Sequence, residues 1–225
     1  MTFSSRPTSR HRVFLVDDHP IVRQGLTLLI NQEPDLTVCG VADEGESVTA
    51  SLASLAPDIL VLDIALRGPD GIDVLKSIRA AGLTLPILVL SMHDETIYAE
   101  RALRAGADGY IMKQEATEKV LVAIRRILSH EVYVSERIAN EMLQQLVVRQ
   151  SKPQRTSIAA LSDRELEVFR LIGFGHSTRE IADELHLSIK TIEGYQAHMK
   201  EKLGLRTARA VMQRAIEWRL SDLDA

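Results

Sequence analysis

Apolar runs of strand length alternate with amphipathic segments of helix length from residue 12 onward, and this alternation limits the possible folds more than any other feature. The strand-like runs are RVFLVDD, LTVCGVA, DILVLDI, LPILVLS and ADGYIM, and a segment of helix length follows each. Continuous Val, Ile and Leu runs are typical of strands in a parallel sheet with helices on both faces. The sequence therefore predicts an α/β unit, a doubly wound five-stranded parallel sheet with five helices.

The length of 225 residues predicts two domains, because single domains cluster near about 100–150 residues. SERIANEMLQQLVVR, which begins at Ser135, predicts a further helix that connects the domains, and QSKPQRTS, interrupted by Pro153, predicts a linker. After this linker the pattern is helical throughout. We expect an α/β domain, a helix with its linker, and a small all-α domain, at residues 11–130, 131–157 and 158–221.

Composition excludes several classes of protein. The chain is 45% hydrophobic and 26% charged, as ordinary globular proteins are. It has no apolar run of the roughly 18 residues that a membrane span needs, and MTFSSRPTSRHR lacks the apolar core of a signal peptide. We therefore expect a cytoplasmic protein with no membrane partner. The single cysteine, Cys39, excludes an internal disulfide and is predicted to be a buried strand residue.

Polar residues stand where the predicted strands end. Asp17 and Asp18 end the first strand, Asp63 ends the third, Ser91 ends the fourth, and Lys113 follows the fifth. The carboxyl ends of parallel strands meet at one edge of the sheet, where ligands of such folds bind. Any one of these acidic residues could be a helix cap, but their coincidence in one sheet predicts a shared site.

Three carboxylates brought together repel one another, and a hard cation with oxygen ligands, Mg²⁺ above all, relieves that repulsion. The same charge would neutralise a phosphoryl group attacked by a carboxylate, with Lys113 and the Ser91 hydroxyl holding the remaining phosphoryl oxygens. Asp63 is the expected nucleophile because it stands alone at its strand end.

VDDHPIVRQGL, LVLDIAL, LSMHDE and GADGYIMK resemble the receiver domain of two-component response regulators, which has a flavodoxin-like fold, over about residues 11–130. The resemblance implies Mg²⁺ bound directly by Asp18 and Asp63, through water by Asp17, and by the Ala65 carbonyl. It also implies that Asp63 is the phosphoacceptor for the histidine of a sensor histidine kinase. Ser91 and Tyr110 would be the switch residues that respond to phosphorylation.

The last domain predicts DNA binding. STREIADELH and SIKTIEGYQAHMKEKLG flank a tight turn at His186, which is helix-turn-helix spacing. Ser162, Ser177 and Ser188 are predicted N-caps, and Glu165 completes a capping box with Ser162. Within residues 190–214, six basic side chains (Lys190, Lys200, Lys202, Arg206, Arg209 and Arg214) outnumber two acidic ones (Glu193 and Glu201), which suits phosphate binding.

LSDRELEVFRLI, STREIADELHLS and KTIEGYQAHMKEKLG resemble the LuxR-type domain that follows receivers in the NarL class, over about residues 158–219. The resemblance implies that residues 188–203 form the recognition helix in the major groove of double-stranded DNA and that 206–218 form a dimer contact. The expected DNA contacts, of which the last three would together bind phosphates, are Lys190, Thr191, Glu193, Gly194, Tyr195, Ala197, His198, Lys200, Lys202 and Arg206.

The leading hypothesis is a transcription factor whose Asp63 is phosphorylated by a sensor histidine kinase and which binds DNA as a homodimer when active. One departure from the family motivates an alternative, since Leu66 and Arg67 stand where receivers usually have Met-Pro. The alternative is a phosphorylation-independent transcription regulator whose receiver is a protein-interaction module. An enzyme is not expected, because the chain has no phosphate-binding glycine loop, nucleophile elbow or zinc-ligand spacing.

Overall fold

The computed structural model describes residues 10–45, 48–64, 66, 71–92, 95–147, 158–185 and 187–223. The chain separates into two compact units, residues 1–149 and 150–225. In the part of the chain that the structure describes, no helix is long and apolar enough to cross a membrane.

The first unit is an α/β sandwich built around a parallel sheet with the strand order β2-β1-β3-β4-β5. Its strands are β1 (His11–Val16), β2 (Leu36–Ala42), β3 (Ile59–Asp63), β4 (Ile87–Ser91) and β5 (Gly109–Met112). Its helices are α1 (Pro20–Asn31), α2 (Val48–Leu55), α3 (Gly71–Ala80), α4 (Glu95–Arg104), α5 (Ala116–Leu128) and α6 (Glu136–Val147). The predicted five-stranded, doubly wound parallel sheet is confirmed.

The strand order places helices on both faces of the sheet. On one face, α1 and α5 pack on alternate residues of the central strands such as Val13, Val61 and Leu88, as expected where crossovers between parallel strands are right-handed. The chain direction across the sheet reverses between β1 and β3, which makes their carboxyl ends the topological switch point of the fold. Every residue of β3 and β4 is buried.

Two details differ from the sequence-based expectations. β2 is an edge strand, and Cys39 is partly rather than fully buried, because one side of β2 has no neighbouring strand. Burial still raises the pKa of the Cys39 thiol, which favours the unreactive protonated form. The helix predicted to connect the domains, α6, packs against α4 within the first unit, and its Ile138 is buried there.

The second unit is all-helical. Its helices are α7 (Asp163–Gly173), α8 (Thr178–Glu184), α9 (Ile189–Lys202) and α10 (Ala208–Leu223), preceded by a 3₁₀ turn at Ile158–Ala160. Ser162, Ser177 and Ser188 are N-caps as predicted, and each side chain accepts a hydrogen bond from the backbone three residues on. The predicted capping box of Ser162 and Glu165 is confirmed. α10 continues five residues beyond the predicted end at residue 218.

Candidate functional site

The polar residues at the strand ends of the first unit form one cluster. Asp63 is the last residue of β3, Asp17 directly follows β1, and Lys113 directly follows β5. Nζ of Lys113 lies 2.7 Å from Oδ2 of Asp63 and 2.8 Å from Oδ2 of Asp17, and all three side chains are almost completely buried. One lysine therefore neutralises part of the charge of two buried carboxylates.

His19 joins this cluster although the sequence analysis gave it no role. Its Nδ1 lies 2.6 Å from Oδ1 of Asp18 and 3.3 Å from Nζ of Lys113, and half of its side chain is exposed. The backbone N–H of His19 donates to Oδ1 of Asp17 at 2.8 Å. The position of His19 directly after Asp17 and Asp18 could have predicted its place in the cluster, because neighbouring residues at a strand end share one site.

The carboxylate oxygens of this cluster suit a hard divalent cation. Asp17, Asp18, His19 and Asp63 each offer one ligand atom, and these atoms all lie within 4.8 Å of one another. Among the described residues, the buried Oδ2 of Asp17 has no partner with hydrogen-bond geometry, so its contact with Lys113 is an ion pair alone. Carboxylate oxygens are the ligands that Mg²⁺ prefers. Ala65, the expected carbonyl ligand, lies outside the described residues, as does Arg67.

Gly71 is a second contributor to the site that the sequence analysis did not identify. The first residue of α3, it packs so closely on β3 that an added Cβ would collide with the Asp63 carbonyl oxygen and with Cα of Ile64. Its amide donates to the Ile64 carbonyl at 3.0 Å. Glycine at this position therefore lets α3 begin directly against the strand that carries Asp63.

Ser91 and Tyr110 lie on β4 and β5, one strand and two strands away from Asp63. Both are buried, Ser91 at the end of β4 and Tyr110 within β5, where it is 1% exposed. The backbone N–H of Tyr110 donates to the Tyr133 carbonyl at 2.8 Å, in the segment that leads into α6. The aromatic ring is thus buried, and the backbone of the same residue is bonded to the chain that leaves the sheet.

In the second unit, α8 and α9 form the helix-turn-helix pair. Ile181, Ile192 and Met199 are completely buried and hold α9 in the core. The expected contacts on α9 and Arg206 beyond its end are exposed or half-buried, and the exposed members are Lys190, Glu193, Ala197, His198 and Arg206. Thr191 also takes part in the capping of α9, since its hydroxyl lies 2.8 Å from that of the N-cap residue Ser188. His186, in the predicted turn, is not among the described residues.

Lys202, one of the expected DNA contacts, forms an ion pair with a buried residue of the second unit. Its Nζ donates to Oε2 of Glu165 on α7 at 2.6 Å. Glu165 is 3% exposed. Burial acts to raise the pKa of Glu165, but the hydrogen bonds from Lys202 and Ser162 outweigh it and leave the pKa below the usual range. The sequence pattern predicted only the capping role of Glu165 and gave no signal for this contact.

The first unit has a buried cluster of carboxylates and a lysine at the switch point of a parallel sheet, and the second unit has a helix-turn-helix. The two together define a class of signalling protein that combines a site suited to a phosphoryl group with a nucleic-acid-binding unit. The family described as response regulator receiver domain matches residues 13–125, and that described as bacterial regulatory proteins, luxR family, matches residues 159–215. The chain belongs to the two-component response regulators that join a receiver to a LuxR-type DNA-binding domain, and it is a transcription regulator, not an enzyme.

Individual relatives extend over nearly the whole chain. The oxygen regulatory protein NreC of Staphylococcus aureus is 30% identical over 213 residues, which cover 93% of this chain and 98% of NreC. RcsB of Salmonella enterica serovar Typhimurium, solved bound to the promoter rprA with the phosphomimetic BeF₃⁻, is 26% identical with a TM-score of 0.62, covering 92% of this chain and 98% of RcsB. The response regulator ChrA of a heme-sensing two-component system is 29% identical with a TM-score of 0.51, covering 94% and 99%. The resemblance inferred from the sequence is confirmed.

Proposed function

We propose that Asp63 accepts a phosphoryl group from the phosphohistidine of a sensor histidine kinase. A carboxylate oxygen of Asp63 attacks phosphorus, the N–P bond breaks, and its electron pair returns to the imidazole, which takes up a proton. The observation that carries this proposal is the contact of 2.7 Å between Nζ of Lys113 and Oδ2 of Asp63. This contact orients the carboxylate and puts a positive charge where phosphoryl oxygens would lie.

Asp17, Asp18 and Asp63 would hold Mg²⁺, with the Ala65 carbonyl as a further proposed ligand. The bound cation would neutralise charge on the phosphoryl oxygens. The other contacts to the phosphoryl group come from side chains of the protein. Lys113 pairs with the phosphoryl group as its contact with Asp63 loosens, and the Ser91 hydroxyl, at the end of the neighbouring strand, donates to a phosphoryl oxygen.

Ser91 and Tyr110 would carry the change to the surface of the unit. Both side chains are buried on β4 and β5, so a movement of Ser91 toward phosphate opens space that the Tyr110 ring can enter or leave. Tyr110 is bonded through its backbone to Tyr133, ahead of α6. The response to phosphorylation would therefore pass through this backbone hydrogen bond to the segment ahead of α6.

The proposed DNA-reading element is α9. The side chains of Lys190, Glu193 and Tyr195 on its first turns make no hydrogen bond or ion pair with another described residue. A helix enters the major groove with these turns, where Lys190 would bind a phosphate and Glu193 could accept from a base edge. Lys200 and Arg206 would bind phosphates at the other end. RcsB has been solved as two dimers bound to two parallel DNAs. We extend this to a homodimer here, with α10 as the contact, acting on DNA in the cytoplasm.

The decisive experiment is intact mass spectrometry of the full chain after incubation with Mg²⁺ and acetyl phosphate. We expect one added phosphoryl group on the parent protein and on Asp73→Asn, and none on Asp63→Asn. Asp73 is a suitable control because it is a half-exposed carboxylate on α3, outside the cluster.

The paired measurement is sedimentation with and without the phosphoryl donor, where we expect the parent protein to shift toward the dimer. If no phosphoryl group is added although Asp63→Asn and the parent are folded, the proposal is wrong. DNA binding that persists in that case would favour a phosphorylation-independent regulator whose receiver binds another protein.

A further inference from the structure

Glu165 makes more contacts than its place in a capping box requires. A capping box needs only the N3 carboxylate to accept from the N-cap N–H, as Oε2 of Glu165 does from Ser162 at 2.7 Å. Ser177 and Glu180 form a second capping box at the start of α8 with the same distances of 2.7 and 3.3 Å. The two boxes differ in environment, because Glu165 is buried and Glu180 is exposed.

The additional partners of Glu165 both come from α9. Nζ of Lys202 donates to Oε2 at 2.6 Å, and Nδ1 of His198 lies 3.7 Å from Oε1. These two residues are four positions apart, so they stand on one face of α9 in its last two turns. The first turn of α7 is therefore joined to the last turns of α9 through one carboxyl group.

The hydrogen bond from Lys202 to Glu165 fixes the orientation of α9 more sharply than apolar packing alone does. Ile192 and Met199 bury one face of α9 and so select how it packs, but each apolar contact is non-directional and fixes the position of the last turns less sharply than a hydrogen bond does. A charged hydrogen bond at 2.6 Å is short and directional. A buried carboxylate is also costly without a partner, so Glu165 holds Lys202 firmly.

We propose that Glu165 is a positioning residue for DNA recognition: it fixes the C-terminal turns of α9 on α7 through Lys202. Lys202 accordingly anchors the helix and does not contact a DNA phosphate, which revises its expected role. The inference rests on the proposed function of α9 as the DNA-reading helix. A recognition helix must be held to within about 0.5 Å to place its side chains on base edges, and this is the requirement that the anchor meets.

The first test compares Glu165→Gln with Glu180→Gln in the full chain. The probe is a labelled duplex that the parent protein selects from random-sequence DNA, with a scrambled duplex beside it. Thermal unfolding verifies that both variants are folded at the temperature of the titration. We expect Glu165→Gln to weaken binding of the selected duplex about tenfold, as the loss of a charged hydrogen bond does, and binding of the scrambled duplex much less. Glu180→Gln should stay within about twofold, because its capping box does not contact α9.

The second test separates an anchor from a phosphate contact and compares Lys202→Met with Lys200→Met. Lys200 lies on the same turn of α9 and makes no ion pair among the described residues. A lost phosphate contact lowers the slope of log K against log salt by about 0.9. We expect that decrease for Lys200→Met and an unchanged slope for Lys202→Met. Glu165→Gln and Lys202→Met should be non-additive, so that the double variant binds about as weakly as either single one.

The inference is overturned if Glu165→Gln binds the selected duplex as Glu180→Gln does, if Lys202→Met lowers the salt slope, or if the two effects add. Lys190→Ala distinguishes this failure from failure of the proposed function. If Lys190→Ala weakens binding while Glu165→Gln does not, the anchor alone is refuted. If neither does, α9 is not the DNA-reading helix and both proposals fall.

Discussion

Replacing Lys113 with Met should destabilise the first unit strongly, because Lys113 is the cation buried between two carboxylates. Met is of similar length and apolar, so the substitution removes charge while leaving little empty space. Nζ lies 2.7 Å from Asp63 and 2.8 Å from Asp17, and the exposure of the three side chains is 3%, 0% and 4%. Water therefore cannot reach the two carboxylates to solvate them once the charge of Lys113 is removed.

The size of the effect follows from these distances. At an effective dielectric constant of about 20, each contact is worth about 6 kcal/mol before the cost of burying the charges is subtracted. Removing one partner of a buried ion pair costs about 3–5 kcal/mol once that subtraction is made. For a unit of this size each kcal/mol lowers Tm by about 2–4 °C, so we expect a decrease of about 10 °C.

Differential scanning calorimetry of the full chain, without Mg²⁺, measures this change. Lys119→Met is the matched control, because Lys119 forms a half-exposed ion pair with Glu115 on the helix surface and should cost about 0.3–0.5 kcal/mol. Adding Asp63→Asn to Lys113→Met should recover much of the loss, since it removes one uncompensated carboxylate. A decrease of less than about 3 °C for Lys113→Met, or no recovery in the double variant, would refute this account of the cluster.

Three further predictions concern other parts of the molecule. Gly71→Ala should destabilise the first unit by about 1–3 kcal/mol in calorimetry and slow phosphorylation of Asp63 in a mass-spectrometric time course, because the added Cβ collides with the Asp63 carbonyl. Lys190→Ala should weaken binding to all DNA sequences similarly and lower the salt slope by about one, measured by titration at several salt concentrations. The pKa of Glu165 is lowered in the folded state, so its contribution to stability is present above the unfolded pKa and is lost as pH falls through the lower folded pKa. The Tm of the second unit should therefore become pH-dependent below about pH 4.5, and this dependence should be weaker in Glu165→Gln.

Much of the fold was predictable because local pattern and architecture agree. Continuous apolar runs produced β3 and β4, which are buried throughout, and the serine N-caps marked the starts of α7, α8 and α9. The edge position of β2 was not predictable from its apolar run, which resembles that of a central strand. The end of α10 was missed for a similar reason, since its last turn carries no glycine or proline signal.

The site was predictable as a set of residues but not as a set of contacts. Chain order places Asp17, Asp63 and Lys113 at strand ends, and parallel strands must bring those ends to one edge, so the cluster follows from the sequence. The partners of each atom do not follow, because they depend on which side chains meet across elements far apart in the chain. Lys113 pairing with both carboxylates is one case, and Lys202 pairing with Glu165 is another.

The sequence by itself determined the elements, their order and the chemical types at the sheet edge, because apolar periodicity and capping act over a few neighbouring residues. Tertiary structure alone decided that Lys202 faces Glu165 across 37 positions, and that Gly71 lies against the Asp63 backbone. Such contacts depend on the packing of whole helices and strands, in which burial removes water and leaves each charged group to the partner that geometry supplies. A residue that resembles a surface lysine in the sequence can therefore be an anchor in the fold.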